Sequence, residues 1–497
     1  MSFISPNFPI FAVAALILYF VAPQRARWCV MLASSYVFYW LLGGFFAIYA
    51  ISFTIATVYA SGLWAGYLRT HKARRSHRRI PLAACLTVNF GLLMFFKYGA
   101  PLLPSMGIML IPGISFYTFQ AAGYLVDIYK GKVEPERNPL KTALFLSFFP
   151  QLIQGPISRH SQIAGDLFAG HGWDWKRSRN GVQRIIWGYF LKFIVANRAL
   201  PLVSAVFAGY RQYGGTVIFL SAFVSGVQLY ADFSGGIDIS LGVAEIFGIR
   251  LPENFRQPYF ANSLMDFWRR WHMTLNAWLK DYLFYPLALS APLGRLGRHT
   301  RKLLGNRAGK MLPTFLATFC VYFIVGIWHG IGVNLLVFAL LNGSIITAAL
   351  IMEPLLAGLR AKTGIDGSKD GSGRVFAILR TIALITLMRY IAGAESIEAT
   401  LVMLRRSVLN IRLRELWNGT LLNLGMSFVD YAALVAGMVV LFIRDLAQER
   451  GTGYRDAINA ARPAVQFVVL LAMLAIVTFF GIYSGSARSA DFIYANY

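Results

Sequence analysis

Long apolar blocks separated by short clusters of basic residues run through this chain from end to end. A helix needs about 20 apolar residues to cross the hydrocarbon layer of a bilayer. Hydrophobic residues make up 57% of the 497 residues and charged residues only 14%, whereas soluble domains average about 25% charged residues. So few charges do not cover a water-exposed surface of this size. We therefore predict a multi-pass membrane protein in contact with membrane lipids.

The formal net charge of the chain is +25. Nucleic-acid-binding proteins are also basic, but they carry the charge on a water-facing surface. Here Lys and Arg lie between the apolar blocks, where the positive-inside rule accounts for them. We expect no nucleic-acid partner. The three cysteines stand far apart in apolar blocks without a metal-ligand spacing, so we expect no metal site either.

The apolar blocks predict roughly twelve transmembrane helices, at residues 8–22, 28–42, 45–67, 80–98, 101–129, 184–208, 214–233, 311–330, 332–353, 375–392, 429–443 and 463–484. The basic clusters then place both termini outside, together with 393–428 despite its four arginines. Two further stretches, 142–157 and 236–290, enter and leave on one side, which requires backbone buried in protein or lining a wet cavity. We predict an all-α fold with re-entrant helices around a cytoplasm-facing funnel.

Two of the seven histidines lie in apolar surroundings, and His329 is the clearer case. No charged residue occurs between Lys310 and Glu353 except this histidine when protonated. An ionisable group at membrane depth is a functional-site hypothesis by default; the alternative is a neutral imidazole bonded to a nearby carbonyl. Gly326 and Gly330 flank it and allow close approach of another helix or a ligand.

His272 lies in an aromatic segment, residues 266–282. If the segment is one helix, Arg269, His272 and Asn276 form a polar stripe that fits a cavity wall. The alternative is an amphipathic helix at the membrane interface with aromatic anchors. A neutral histidine is a suitable general base near pH 7. An imidazole between a hydroxyl and an activated acyl group favours acyl transfer to oxygen.

Three carboxylates, Asp232, Asp238 and Glu245, lie in or beside apolar stretches. We expect them to pair with arginine or with backbone donors, because an unpaired charge in a membrane is costly. The alternative is a proton path, which predicts a proton-coupled transporter.

At these residues the sequence resembles the membrane-bound O-acyltransferase family, in particular the bacterial branch of alginate O-acetylation and teichoic-acid D-alanylation proteins. The resemblance covers about residues 110–345, within a single acyltransferase domain at 1–490. Its motifs are PGISFYTFQ at 112–120, YLVDIY at 124–129, FFPQLIQGPI at 148–157, PENFRQPY at 252–259, WRRWH at 268–272 and WHG at 328–330.

The resemblance implies that His329 is the catalytic base and that His272 is the second active-site histidine. It also implies a substrate pocket shaped by Trp268, Asn276, Asp281 and Trp328. No bound cofactor is implied; the acyl donor is a co-substrate, either an acyl-CoA such as acetyl-CoA or an acyl-carrier thioester.

The last seven residues, 491–497, resemble the F-x-Y-x-x-aromatic ending found in these envelope systems. There the tyrosine carries the acyl group outward, which makes Tyr494 the candidate acyl acceptor. The alternative for this tail is an aromatic anchor at the membrane interface.

The resemblance implies a multi-pass inner-membrane O-acyltransferase that moves an acyl group, most simply acetyl, to a cell-envelope or extracellular polysaccharide. Its expected partners are an extracytoplasmic acyltransferase or esterase-like protein and the polysaccharide acceptor. The enzymatic alternative is D-alanyl transfer from a charged acyl carrier protein to a teichoic-acid-like polymer. Alternatives of another class are the transporter and a catalytically idle scaffold for an envelope complex.

Overall fold

The computed structural model describes residues 1–330, 332–363, 371–483 and 492. All regular elements in this part of the chain are helical, which confirms the predicted all-α class. The chain divides into two compact units. Unit 1 comprises Met1–Ile194, Ala231–Glu253 and Arg455–Tyr497, and unit 2 comprises Val195–Tyr230 and Asn254–Tyr454.

The α-helices follow one another with short connections. In chain order they are α1 (Asn7–Val21), α2 (Arg27–Thr70), α3 (Arg75–Leu102), α4 (Ile114–Lys130), α5 (Pro139–Ser147), α6 (Phe149–Leu152), α7 (His160–Ala169), α8 (Trp175–Phe190), α9 (Asn197–Ala208), α10 (Gly215–Phe247), α11 (Leu264–Arg270), α12 (Met273–Leu279), α13 (Tyr285–Ala288), α14 (Ala291–His329), α15 (Val333–Thr363), α16 (Gly371–Gly393), α17 (Ile397–Leu409), α18 (Phe428–Glu449), α19 (Tyr454–Ala460) and α20 (Pro463–Phe480). Two π-helical segments, Leu191–Ala196 and Lys280–Phe284, continue α8 and α12.

Eight helical stretches among the described residues are long and apolar enough to cross a membrane. They are Gln24–Thr70, Ser76–Leu102, Trp175–Ala208, Gly215–Phe247, Gly309–His329, Val333–Glu353, Gly371–Gly393 and Pro463–Phe480. The shorter α1 is apolar as well. The chain is thus a multi-pass membrane protein, while the predicted count of twelve crossings is not confirmed.

The difference in count comes mainly from merged and shortened elements. The predicted crossings 28–42 and 45–67 form one 44-residue element, α2, which bends at Gly44 where φ is 66°. The predicted crossing 101–129 is wrong before Ile114, because α3 ends at Leu102 and α4 begins only at Ile114. Pro112 and Gly113 directly precede it, and Gly113 takes a left-handed conformation that a continuing helix excludes.

The stretch 142–157 does form two short buried helices, α5 and α6, rather than a full crossing. The side chain of Asn138 accepts a hydrogen bond from the Leu140 N–H and caps α5. The other predicted re-entrant stretch, 236–290, begins inside a long helix, since α10 continues as far as Phe247. Only the part after Phe247 consists of short helices.

Helices α8 and α10 pack closely in unit 1 through pairs of glycines. A Cβ atom added to Gly188 would lie 2.5 Å from the Gly235 carbonyl oxygen, and one added to Gly181 would lie 2.6 Å from the Gly242 oxygen. Both glycine pairs repeat after seven residues, so they lie on one face of each helix. Small residues at such positions let helix backbones approach closely in a membrane.

Candidate active site

His272 lies in unit 2 at a break between two short helices. Helix α11 ends at Arg270, and α12 begins at Met273. His272 itself takes a left-handed conformation with φ of 45°, which is uncommon for a residue other than glycine. The segment 266–282 is therefore not one helix, and the condition for a polar stripe of Arg269, His272 and Asn276 on a single helical face is not met.

The break is held open by a neighbouring segment of the chain. The Met273 N–H donates to the Asn254 carbonyl, and the Arg256 N–H donates to the Arg270 carbonyl, both at 2.9 Å. These bonds give helix-end groups of α11 and α12 partners outside their own helices. A continuous helix would use the same groups internally.

The side chain of Asn254 organises the histidine. Its Oδ1 atom accepts from the Thr274 N–H at 3.0 Å and from the Thr274 hydroxyl at 2.9 Å, and it lies 3.2 Å from His272 Nδ1. Because a backbone N–H only donates, the atom facing it is the amide oxygen. His272 therefore carries its proton on Nδ1 when neutral, which leaves the Nε2 lone pair as the basic position.

His272 is fully enclosed, with 3% of its surface exposed. Burial, together with the nearby charge of His329, lowers the pKa of His272 to about 3. The imidazole is therefore neutral at physiological pH. The same effect shows that the two predicted active-site histidines lie near enough for the charge of one to act on the other.

His329 is the last residue of α14 and is half-buried. Its ring lies 4.8 Å from that of Trp328, centroid to centroid, and Trp328 is buried. Gly326, one turn earlier, lies close to α15, since an added Cβ would be 3.0 Å from the Leu336 Cα. The predicted role of Gly326 in close helix approach is thus confirmed. Gly330 ends the helix with φ of 153°.

A cavity of about 330 Å³ lies beside this break in unit 2. Two of the predicted pocket residues, Trp268 and Asn276, line it, and Tyr322 of α14 contributes as well. Two cations also line the cavity, Arg269 and Lys280. Sequence reasoning missed Lys280, although it lies four residues after Asn276 and so on the same side of the helix.

Trp268 and Asn276 are held by hydrogen bonds. The Trp268 indole N–H donates to Asn342 Oδ1 at 3.2 Å. The Asn276 side-chain amide donates to the carbonyls of Trp268 and Trp271, each at 2.7 Å. Asn276 therefore joins the end of α11 to α12 and fixes the wall of the cavity.

The other predicted site residues do not line this cavity in the part of the chain that the structure describes. Asp281 lies in the π-helical segment Lys280–Phe284, directly after the cavity wall. His272, His329 and Trp328 lie around the helix break and the end of α14. Asn276 connects the cavity wall to His272, since its N–H donates to the His272 carbonyl at 3.1 Å.

The three carboxylates considered for a proton path all form ion pairs within unit 1. Asp232 pairs with Lys192 at 2.7 Å, Asp238 with Arg184 at 2.8 Å, and Glu245 with Arg455 at 2.8 Å. Asp238 and Glu245 thus pair with arginine as expected, whereas the partner of Asp232 is a lysine. Tyr494 lies outside the described residues, whereas Phe492, two residues before it, is described and buried.

These observations define a multi-pass helical membrane protein with one buried histidine, His272, and one half-buried histidine, His329. Comparison with known proteins identifies its family. Residues 180–365 match the membrane-bound O-acyltransferase family, and this range contains both histidines. A peptidoglycan O-acetyltransferase of Helicobacter pylori is 30% identical over 424 residues, covering 76% of this chain and 75% of the relative. The chain belongs to the membrane-bound O-acyltransferase family.

Other relatives carry different names. A probable alginate O-acetylase of Pseudomonas syringae is 33% identical over 344 residues, which cover 66% of this chain. This chain spans 61% of the length of that relative. A teichoic acid D-alanyltransferase of Bacillus subtilis is 26% identical over 268 residues, covering 52% of this chain and 64% of the relative.

Proposed function

We propose that this protein is a membrane O-acyltransferase of the cytoplasmic membrane. It takes an acyl group, most simply acetyl, from a thioester donor on the cytoplasmic side. It passes this group across the membrane for O-acylation of a cell-envelope or extracellular polysaccharide. The observation that carries the proposal is the buried His272, which Asn254 holds at a helix break, in a chain of an O-acyltransferase family.

In the proposed reaction His329 acts as the general base. Its neutral imidazole takes the proton of the acceptor hydroxyl while the hydroxyl oxygen attacks the carbonyl carbon of the thioester. The C–S bond then breaks, and the leaving thiolate takes the proton back from the imidazolium. Such a base typically contributes 10²–10⁴-fold to the rate. Neither oxidant nor metal is needed to balance these steps.

His272 supports this reaction as a second, neutral imidazole. Its pKa of about 3 keeps it uncharged while a positive charge forms on His329. A neutral neighbour is compatible with that charge, whereas a protonated one would oppose it by Coulomb repulsion. Trp268, Asn276, Asp281 and Trp328 are proposed to shape the substrate pocket around the two histidines.

The candidate donors are acetyl-CoA and a thioester on an acyl carrier protein. Relatives named as acetyl-transferring enzymes have the higher identities, 33% and 30%, against 26% for the D-alanyltransferase. This order favours acetyl. Acetyl-CoA also needs no protein partner, whereas D-alanyl transfer requires a charged carrier protein.

Tyr494 is proposed as the first acceptor. Its hydroxyl would hold the acyl group as an ester at the outer end of the chain. An extracytoplasmic acyltransferase or esterase-like partner then transfers the group to the polysaccharide.

Intact-protein mass spectrometry after incubation with acetyl-CoA tests the proposal. We expect one acetyl adduct on the wild type and none on His329→Ala or Tyr494→Phe. His299→Ala is the matched control, because His299 is an exposed histidine of the same helix α14, and it should keep the adduct.

Full adduct formation by His329→Ala would overturn the role of the base. An adduct retained by Tyr494→Phe would overturn the proposed acceptor. If the wild type reacts only with a D-alanyl carrier protein, the acetyl donor is replaced by the alternative one.

A further inference from the structure

The π-helical segment Leu191–Ala196 carries a buried cation in unit 1. Lys192 is 1% exposed, and its Nζ atom lies 2.7 Å from Asp232 Oδ1 on α10. Asp232 is 2% exposed. Ionisable groups buried at membrane depth are costly and are generally retained for function, and π-helical turns recur at functional sites.

The C-terminal part of the chain lies along this π-helical segment at two points. After α20 ends, the Ile482 N–H donates to the Phe193 carbonyl at 3.2 Å. The Tyr483 ring packs against Phe193 with centroids 4.8 Å apart. Further on, the Lys192 ammonium lies over the ring of Phe492, 4.7 Å from its centroid.

Phe492 is 2% exposed, so its ring is enclosed by protein. The Lys192 ammonium thus meets a carboxylate, Asp232, and an aromatic face. A desolvated cation over an aromatic face gains more than an exposed one. Both partners of the cation belong to unit 1.

We propose that the Lys192–Asp232 ion pair is a binding site for an aromatic side chain of the acyl-accepting tail, and that Phe492 is the residue it binds. Phe492 is then a positioning residue for Tyr494. Two residues of extended chain reach about 7 Å at most, so an anchor at Phe492 limits the volume that the tyrosine hydroxyl samples. This inference rests on the proposed acceptor role of Tyr494.

The test compares the full-length wild type with Phe492→Leu and Phe492→Trp. Leucine keeps an apolar side chain but lacks the aromatic face, whereas tryptophan has the strongest face for a cation. Phe479→Leu is the matched control, because Phe479 of α20 is 81% exposed.

The first measurement is the rate at which carboxypeptidase removes the last residues, followed by intact mass. Digestion past Phe492 requires release of its side chain, so the rate follows the released fraction. We expect Phe492→Leu to be trimmed roughly fivefold faster or more than the wild type. Phe492→Trp should be trimmed at the wild-type rate or more slowly, and Phe479→Leu at the wild-type rate.

The second measurement is the rate of acetyl adduct formation on Tyr494. We expect Phe492→Leu to slow it and Phe492→Trp to restore it, which a general packing role would not produce. Equal trimming and equal acylation of Phe492→Leu and wild type would overturn the binding site. If no variant is acylated but trimming differs as expected, the acceptor role fails and the aromatic binding site stands.

A double variant, Lys192→Met with Asp232→Asn, identifies the cation as the partner without leaving one buried charge unpaired. We expect this background to release the tail as Phe492→Leu does. Adding Phe492→Leu to it should then have no further effect on trimming. An additive effect of the two changes would show that Phe492 binds elsewhere.

Discussion

Asn254 is fully buried, and a single oxygen of its side chain faces three donors on His272 and Thr274. We predict that Asn254→Ala leaves these donors without an acceptor. Each buried donor left unsatisfied costs about 1–3 kcal/mol, so the variant should lose roughly 2 kcal/mol or more of unfolding free energy. It should also slow acyl transfer, because the protonated nitrogen of His272 is no longer fixed. Thermal unfolding in detergent and the acetylation rate measure the two effects.

The chain offers a matched control for this prediction. The Asn418 side chain accepts hydrogen bonds from both the N–H and the hydroxyl of Thr420. Asn254 accepts the same two bonds from Thr274, which is distant from it in sequence. Asn418 is exposed. Asn418→Ala should therefore change stability by less than about 0.5 kcal/mol. A similar loss in both variants would contradict the special role of Asn254.

The buried imidazole of His272 makes a prediction about pH. Its folded-state pKa of about 3 lies below the value near 6.5 expected in the unfolded chain. Between these two pKa values the unfolded chain binds a proton at this histidine and the folded chain does not. The free energy of unfolding therefore decreases as pH falls below about 6.5. Going from pH 7.5 to 5.5, the wild type should lose about 1 kcal/mol more than His272→Gln. Equal pH dependence of the two proteins would contradict a neutral, buried His272.

At the scale of helices, the lengths of the apolar blocks and the positions of the charged residues predicted several elements well. The predicted crossings 332–353, 375–392 and 463–484 overlap with α15, α16 and α20. The break at Trp271–His272 was not predictable from local periodicity, because its cause is hydrogen bonding to Asn254 and Arg256, which are distant in sequence. Periodicity reports which residues share a face; it does not report a competing partner from another segment.

The residues of the candidate site were likewise predictable only in part. The isolated histidines and the aromatic segment were visible in the sequence because polar residues stand out in apolar surroundings. Asn254 and Lys280 were not singled out, since an asparagine in a loop and a lysine near a helix end are ordinary. The glycine pairs of α8 and α10 have a sequence signal, the seven-residue spacing, but their partners become clear only in three dimensions.

Those glycine pairs predict the effect of adding one methyl group. In Gly188→Ala the new Cβ would lie 2.5 Å from a backbone oxygen of α10, so the two helices must move apart. Overpacking of this kind costs about 1–3 kcal/mol. Gly91 of α3 is the control, because an added Cβ there meets nothing within 4 Å. Gly91→Ala should be neutral or stabilising through helix propensity. Thermal unfolding of both variants decides the point, and equal destabilisation would be the contrary result.

At the scale of the whole molecule, the proposed function requires donor and acceptor on opposite sides of the membrane. From the positive-inside rule we predict that the basic loops lie in the cytoplasm and both termini outside. The segment 393–428 goes against the rule, since it is predicted outside with four arginines. Two of these have structural partners in unit 2: Arg406 donates to the Tyr213 carbonyl, and Arg412 pairs with Glu415 at 3.4 Å. Their presence therefore has a reason other than orientation.

This topology predicts the labelling of two exposed positions, His71 in a basic loop and Asn418 in the segment 393–428. The background replaces the native cysteines, of which Cys29 and Cys320 are exposed. A membrane-impermeant maleimide should label His71→Cys only in inverted vesicles and Asn418→Cys only in right-side-out vesicles. Labelling of both positions only in inverted vesicles would place 393–428 in the cytoplasm. The two predicted crossings that follow this segment would then return the chain to the cytoplasm. The proposed acceptor Tyr494 requires the outer side, so the acyl group would need a different path.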